Sequence, residues 1–359
     1  MKKTYQTTLL FSVIIMLSAC QFTDVFKPAI STEPVTIVFY DWENDVPDDV
    51  FEEFTRQTGI LVEYQTYDSD IDAEDTLIKG DKQIDVAVLD NDAIPYFIQN
   101  NLLHKIKYEN IPNFRYISID FRDLAFDPDN RYSVPFNWGS TGLIVLNSNE
   151  MPKLQHWSDL WLYADDLSIG MRGDLPFDNL AVGKMTLGYS INECDPENLN
   201  LVMNHLQALL PSIIFIPSDS IAAVDDLESG KINVLIGWSD DVFEAQDRGL
   251  NISYIIPDEG TFLWGDSFVI ASASNHAPEA EQLINYLLEP AVAAKILLYN
   301  NYANANVAMN SLVPDEYLSD GIIYPSEDVL WQAEIYQPIS QSCSDMQTNL
   351  WNEFVDQTR

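Results

Sequence analysis

Residues 35–64 read VTIVFYDWENDVPDDVFEEFTRQTGILVEY, and this stretch decides the fold. Val35 to Tyr40 is an apolar run of strand character, and Pro47 opens a helix that carries Phe51 and Phe54 before Gly59 stops it. A second strand, Ile60 to Tyr64, follows at once. Next come a polar helix to Gly80, a buried strand Ile84 to Leu89 and a helix around Tyr96 to Asn100, which makes a βαβαβ unit and an α/β sheet. Further strands are predicted near 141–146, 167–171, 213–217, 232–237, 252–256 and 267–271, with helices between them, for example over 196–210 and 220–229. The last hundred residues read as helical near 278–288, 290–298, 328–337 and 345–357. Two α/β lobes are the natural count, with a helical tail returning to complete them.

The N-terminus addresses the chain to the cell envelope. Lys2 and Lys3 precede the apolar run Leu9 to Met16, and Leu17-Ser18-Ala19-Cys20 fits a lipobox, so residues 1–19 read as a lipoprotein signal peptide and Cys20 as the lipidated residue. Residues 20–34 mix polar residues with prolines and read as a tether. No second stretch is apolar enough to span a bilayer. Of the three cysteines only Cys194 and Cys343 remain after the anchor, and in an oxidising compartment they form either one bridge or two separate buried thiols.

The formal charge of -38 excludes nucleic acid as a partner, since phosphates would be repelled, and it suits a cationic ligand without proving one. Common catalytic constellations are missing. The histidines His104, His156, His205 and His276 have no metal-ligand spacing, and there is no G-x-G-x-x-G, Walker loop or G-x-S-x-G elbow. A carboxylate pair of the glycosidase kind stays open among 56 acids. No cofactor or metal is expected.

Five segments place an aromatic or an acid just past an expected strand end, where open α/β folds bind ligands. They are Tyr40 to Asp45, Asp90-Asn91-Asp92, Asp174 to Asp178, Trp238 to Asp241 and Trp264 to Ser267. An alkyl polyamine needs carboxylates or aromatic faces for its ammonium groups and flat apolar walls for its methylenes. Trp42, Trp238, Trp264 and Tyr302 could supply walls while Asp92, Asp178 and Asp266 neutralise charge. Sugars also stack on Trp and hydrogen-bond to Asp, so this chemistry alone leaves a carbohydrate open.

In combination and order, several motifs resemble the bacterial spermidine/putrescine-binding proteins of ABC importers. They are Phe39-Tyr40-Asp41-Trp42, Thr58-Gly59-Ile60, Phe126-Asp127-Pro128, Tyr132 to Gly142, Trp157 to Trp161, Leu187 to Ser190, Trp264 to Ser267 and Ile284 to Leu288. The resemblance implies the two-lobed type II periplasmic-binding-protein fold, with a ligand cleft between lobes joined by a hinge, and a protein that catalyses nothing. It implies ligand aromatics at Trp42, Trp238, Trp264 and Tyr302, an ammonium-binding carboxylate at Asp266, an acidic contact at Asp178 and a polar contact at Gln337. Departures fall at Glu43, Asn44 and Asp45 after Trp42, and at Asp90-Asn91-Asp92, where charge replaces an aromatic wall. Glu43, Asp45 and Asp92 therefore join the candidates. Arg172 adds a cation that either pairs with Asp174 or Asp178 or favours a ligand bearing a carboxylate.

The expected lobes are 35–140 plus 263–310 and 144–259 plus 315–359, in a monomer. The expected partners are a polyamine and an ABC permease, or else a membrane sensor that reads the closed form. A sugar or an amino-acid-like ligand is the remaining alternative.

Overall fold

Among the described residues twelve strands build two sheets, and the order in which the chain visits them makes the cleft. The computed structural model describes residues 34–67, 70–80, 82–218 and 220–358. The expected leader, Cys20 and the tether up to residue 33 lie outside the described residues. The first sheet holds β1 (Thr36–Trp42), β2 (Leu61–Tyr67), β3 (Val86–Asp90), β4 (Ser133–Ser140), β10 (Phe262–Ile270) and β11 (Ala303–Asn304), in the order β11-β4-β10-β3-β1-β2, with β12 (Glu334–Ile335) paired to the start of β10. The second holds β5 (Gly142–Leu146), β6 (Ile169–Arg172), β7 (Ile213–Ile216), β8 (Val234–Gly237) and β9 (Ile252–Ile255), in the order β7-β6-β8-β5-β9. Each sheet is the base of one lobe.

The opening stretch forms as its pattern demands. β1 pairs in parallel with both β2 and β3 and is buried on both faces, through Ile37 and Phe39 on one and Val38 and Tyr40 on the other. The helix Asp48–Thr58 carries Asp48 and Asp49 in its first turn, favourable at the positive end of its dipole. Gly59, at φ 78°, closes it in the left-handed conformation that costs glycine least. Val50, Phe51 and Phe54 face inward.

Two expectations fail in instructive ways. The segment Trp264 to Ser267 lies inside β10 rather than just past a strand end, because β10 is hydrogen-bonded between β3 and β4 there, with an irregularity between Gly265 and Ser267. The helix expected over 328–337 ends at Gln332, because Glu334 donates to the free Thr261 carbonyl (3.0 Å) and the chain turns to strand there.

The chain crosses between lobes from Ser140 to Gly142 and from Ile255 to Phe262. Thr261 Oγ1 donates to Thr141 O (2.6 Å), Thr141 N–H donates to Phe262 O (3.2 Å), and Tyr254 Oη donates to Ser140 O (2.9 Å), stitching the two crossings together. The stretch expected to complete the second lobe, 315–359, divides between the two. Tyr317, Leu318 and Tyr324 pack against Ala293, Ala294 and Leu297 of the first lobe. Trp351 and Phe354, on the helix Gln341–Val355, enter the core of the second, where Trp351 Nε1 donates to Gly173 O (2.8 Å). Gln347 on the same helix accepts from the buried Lys184 Nζ (2.6 Å), whose other contact is Ile191 O; burial pulls the Lys184 pKa down to about 8.

Cys194 and Cys343 are bridged, with Cα atoms 5.6 Å apart across a sequence separation of 149 residues. The bond ties the C-terminal helix to the loop before the helix Pro196–Leu209. Closing so long a loop removes much freedom from the unfolded chain, so reduction is expected to cost about 2–5 kcal/mol. Calorimetry with and without reductant should show a midpoint lower by several degrees; an unchanged midpoint would mean that packing of Trp351 and Phe354 alone secures this helix.

Candidate functional site: a carboxyl row between the lobes

Negative charge gathers where the two sheets meet. Asp41 stands near the end of β1 and Asp45 in the loop after it, Asp90 ends β3 and Asp92 follows it, and Asp266 stands in β10 directly opposite Asp90. Like charges facing each other across an antiparallel pair destabilise a sheet, so this placement needs a compensating reason. The second lobe adds Asp178 from the first turn of the helix Pro176–Thr186, and Asp240 and Asp241 from the first turn of the helix Ser239–Asp247.

These carboxyls interact in a row. Asp240 acts on Asp45, Asp45 on Asp266, Asp90 on Asp45, Asp266 and Asp92, and Asp178 on Asp92. Burial first, and then neighbouring charge, raises the pKa of each affected group. Asp45 stands at about 7, Asp178 and Asp240 at about 6, and Asp41, Asp92 and Asp266 well above the usual carboxylate range. Glu74, at the side of Asp90, is raised to about 7. Asp92 combines an exposed surface with a strong desolvation effect. A carboxyl that reaches water only within a narrow crevice satisfies both.

Polar partners hold part of the row and leave part of it unanswered. Asn137 Nδ2 donates to Asp45 Oδ2 (3.3 Å), Ser220 Oγ to Asp240 Oδ2, and Tyr336 Oη to Asp178 Oδ1 (2.7 Å). Tyr302 lies beside Asp240, and Asp90 faces Asp266 across the pairing of β3 with β10. Asp41 Oδ2, Asp240 Oδ1, Asp266 Oδ1 and Trp264 Nε1 are buried without a partner. Such groups are costly unless something meets them.

Aromatic walls flank the row. Trp264 meets Tyr302 edge-on at 4.9 Å and Trp238 at 6.1 Å. Gly139 is required beneath Trp264: a Cβ there would lie 2.4 Å from the indole Cζ2. Trp238 Nε1 donates to Thr141 Oγ1 (3.2 Å), which fixes the ring beside the crossing. Against Trp238 lies Arg172, its guanidinium 4.1 Å from the ring centre and its Nη2 2.7 Å from Asp241 Oδ1. Arg172 therefore pairs with neither Asp174, which accepts from Ser218 Oγ (2.7 Å), nor Asp178.

The structure thus brings together Asp45, Asp92, Asp178, Trp238, Trp264, Asp266 and Tyr302 of the candidates read from sequence. Trp42 packs separately on Tyr67, with ring centres 4.6 Å apart, beside the first lobe's core. Glu43 is exposed. Gln337 is also exposed and uses its backbone N–H on Asn192 Oδ1 (2.8 Å), while the residue before it, Tyr336, reaches the acids. Asp41, Asp90, Asp240, Asp241 and Tyr336 were missed as candidates. Four of them stand inside segments quoted for their strand-end position, and counting every acid in those segments would have found them.

Among the described residues no helix is long and apolar enough to cross a membrane, and no group of three metal-binding side chains is poised for an ion. Residues 49–322 match the family model described as bacterial extracellular solute-binding protein. The chain is 30% identical over 306 residues to the spermidine/putrescine-binding periplasmic protein of Escherichia coli, covering 84% of this chain and 87% of that one. It is 26% identical over 337 residues to the putrescine/agmatine-binding protein of Pseudomonas aeruginosa, covering 88% and 91%. A solved structure of a putative spermidine/putrescine ABC transporter from Listeria monocytogenes superposes with a TM-score of 0.80 at 28% identity, over 89% of this chain and 98% of that one.

The raised carboxyls make stability depend on pH. Their folded pKa values lie above the unfolded value near 4, so from about pH 4 to about pH 7 the folded protein holds protons that the unfolded chain releases, and stability falls as pH rises through that window. Ligand-free protein should melt higher at pH 5.5 than at pH 7.5, and Asp266→Asn should flatten the slope. Equal midpoints would mean that the row is not protonated when empty.

Proposed function

The chain belongs to the bacterial extracellular solute-binding proteins, and from that membership we propose that it captures a linear polyamine of the putrescine or spermidine type and delivers it to an ABC importer. The observation that carries this reading is the carboxyl row flanked by Trp264, Tyr302 and Trp238, with Arg172, the cation beside it, already tied to Asp241. A dry groove of acids is uncomfortable empty. A flexible chain with ammonium groups at intervals supplies the missing charge, and its methylenes lie on the indole and phenol rings.

Roles follow from position. Asp266 with Asp90, together with Asp45, meets an ammonium in the middle of the row; Asp240 and Tyr302 take one end, and Asp92, Asp178 and Tyr336 the other. Trp42, Glu43 and Gln337 are assigned to the rim of the cleft. Neutral sugars offer no charge to such a row, and a carboxylate-bearing ligand would find Arg172 taken. No covalent step is involved.

Both lobes contribute acids, so a ligand that bridges them favours the closed state by its differential affinity, and the closed form is what a permease would recognise. The lobes proposed are 35–140 plus 263–310, joined by the segment around Tyr317 to Tyr324, and 144–259 with the C-terminal helix Gln341–Val355, bending at the paired crossings. The protein acts outside the cytoplasm as a monomer held to a membrane by acyl chains on Cys20.

Thermal unfolding of residues 35–359 with putrescine, spermidine, norspermidine, a neutral disaccharide and an amino acid tests the ligand class. A ligand at a hundred times its dissociation constant adds about 2.7 kcal/mol and raises the midpoint by a few degrees. A shift with the disaccharide or amino acid and none with any polyamine would sink the proposal. By calorimetric titration Asp266→Asn should lose about 2–5 kcal/mol of binding. Gly139→Ala, which displaces Trp264, should weaken the same ligand; unchanged affinity in both variants would remove β10 from the site.

A further inference from the structure

Arg172 is the charged group of the cleft that capture itself does not use. It is 2% exposed, on the last residue of β6, and three things hold it: Asp241 Oδ1 at 2.7 Å, Ile236 O at 3.1 Å from Nη1, and the Trp238 ring at 4.1 Å. Its Nε finds no partner. Asp241 is fully buried, and its second oxygen accepts from Trp238 N–H (3.0 Å). Gly237 is what lets the carboxylate fold back so far, because a Cβ there would lie 2.4 Å from Asp241 Oδ2. Arg172, Asp241 and Trp238 are therefore one rigid unit at the Asp240 end of the row, and Arg172 also acts electrostatically on Asp240 and Asp178.

An aromatic face binds a cation through the electron density above the ring, and a second cation on the opposite face competes for the same polarisation. With the guanidinium already on Trp238, that ring offers a ligand an apolar wall and little attraction for an ammonium. Asp241 is likewise spent. We propose that Arg172 is a specificity-determining residue, a resident cation that takes the ring face and the carboxylate a further ammonium would use, and so biases the cleft toward the less charged of two polyamines. This rests on the polyamine reading above.

Calorimetric titration of putrescine and of spermidine, at one pH and two salt concentrations, reads the effect as the ratio of their affinities. Arg172→Gln should shift that ratio about tenfold toward spermidine, the size expected when one desolvated cation site is vacated. Asp241→Asn, which leaves the guanidinium unbalanced, should shift it the opposite way. The double variant, R172Q with D241N, frees the ring face without the carboxylate and should shift the ratio toward spermidine by less than Arg172→Gln alone. A folded single variant with an unchanged ratio overturns the proposal, as does a double variant that shifts the ratio as far as Arg172→Gln does. Where Arg172→Gln does not fold, Asp241→Asn and the double variant decide between the same outcomes. Wild-type protein that binds neither amine defeats the polyamine reading itself, a result separate from any change in ratio.

Discussion

Repulsion among buried carboxyls is the interaction around which this molecule is arranged. A cluster of like charges withdrawn from water can be endured only with protons, cations or hydrogen-bond donors to hand, and the protein supplies some of each. Asn137, Ser220 and Tyr336 donate, and Arg172 cancels Asp241. Several oxygens remain unanswered. The two lobes hold this arrangement in place by ordinary apolar packing, with Phe39, Phe54, Phe97 and Phe268 buried in one and Trp157, Leu206, Ile169 and Trp351 in the other. The site is thus a local loss of stability carried by two cores that are themselves apolar.

The same logic accounts for the glycines around the cleft. Gly139 gives Trp264 its place and Gly237 gives Asp241 its own. Each absent side chain lets a functional group lie against backbone, so the walls are set by what the chain leaves out as much as by what it presents. Apolar and acidic residues alone would make a groove, but its shape would depend on rotamers free to change.

Most of the fold was legible because strand and helix periods in Val35 to Tyr64 and in the α/β units after it are strong, and Gly59 stops the first helix as read. What sequence could not show was register. The β10 strand runs through Trp264 and Asp266 because β3 and β4 bond to it there, a long-range pairing with no local signature. The C-terminal segment shows the same limit: the helix stops at Gln332 because an unpaired carbonyl 71 positions earlier, on Thr261, captures Glu334. In the site, acids in the quoted segments were found where an aromatic or a family motif pointed to them. Asp41, Asp90, Asp240 and Asp241 were passed over because a carboxyl that follows a strand or opens a helix usually serves the backbone. Tyr336 carries no sequence cue, and only the turn after β12 aims it at Asp178.

The C-terminal segment has a mechanical meaning. Two crossings stitched side by side at Thr141 and Thr261 would leave the lobes free both to bend and to twist about a single narrow joint. The segment from Val313 to Phe354 makes a third connection, packed onto the first lobe at Tyr317 and Tyr324 and tied covalently to the second at Cys343. Three tethers fixed at both ends resist torsion far more than flexion. A joint tethered in this way would bend about one axis more readily than it would twist.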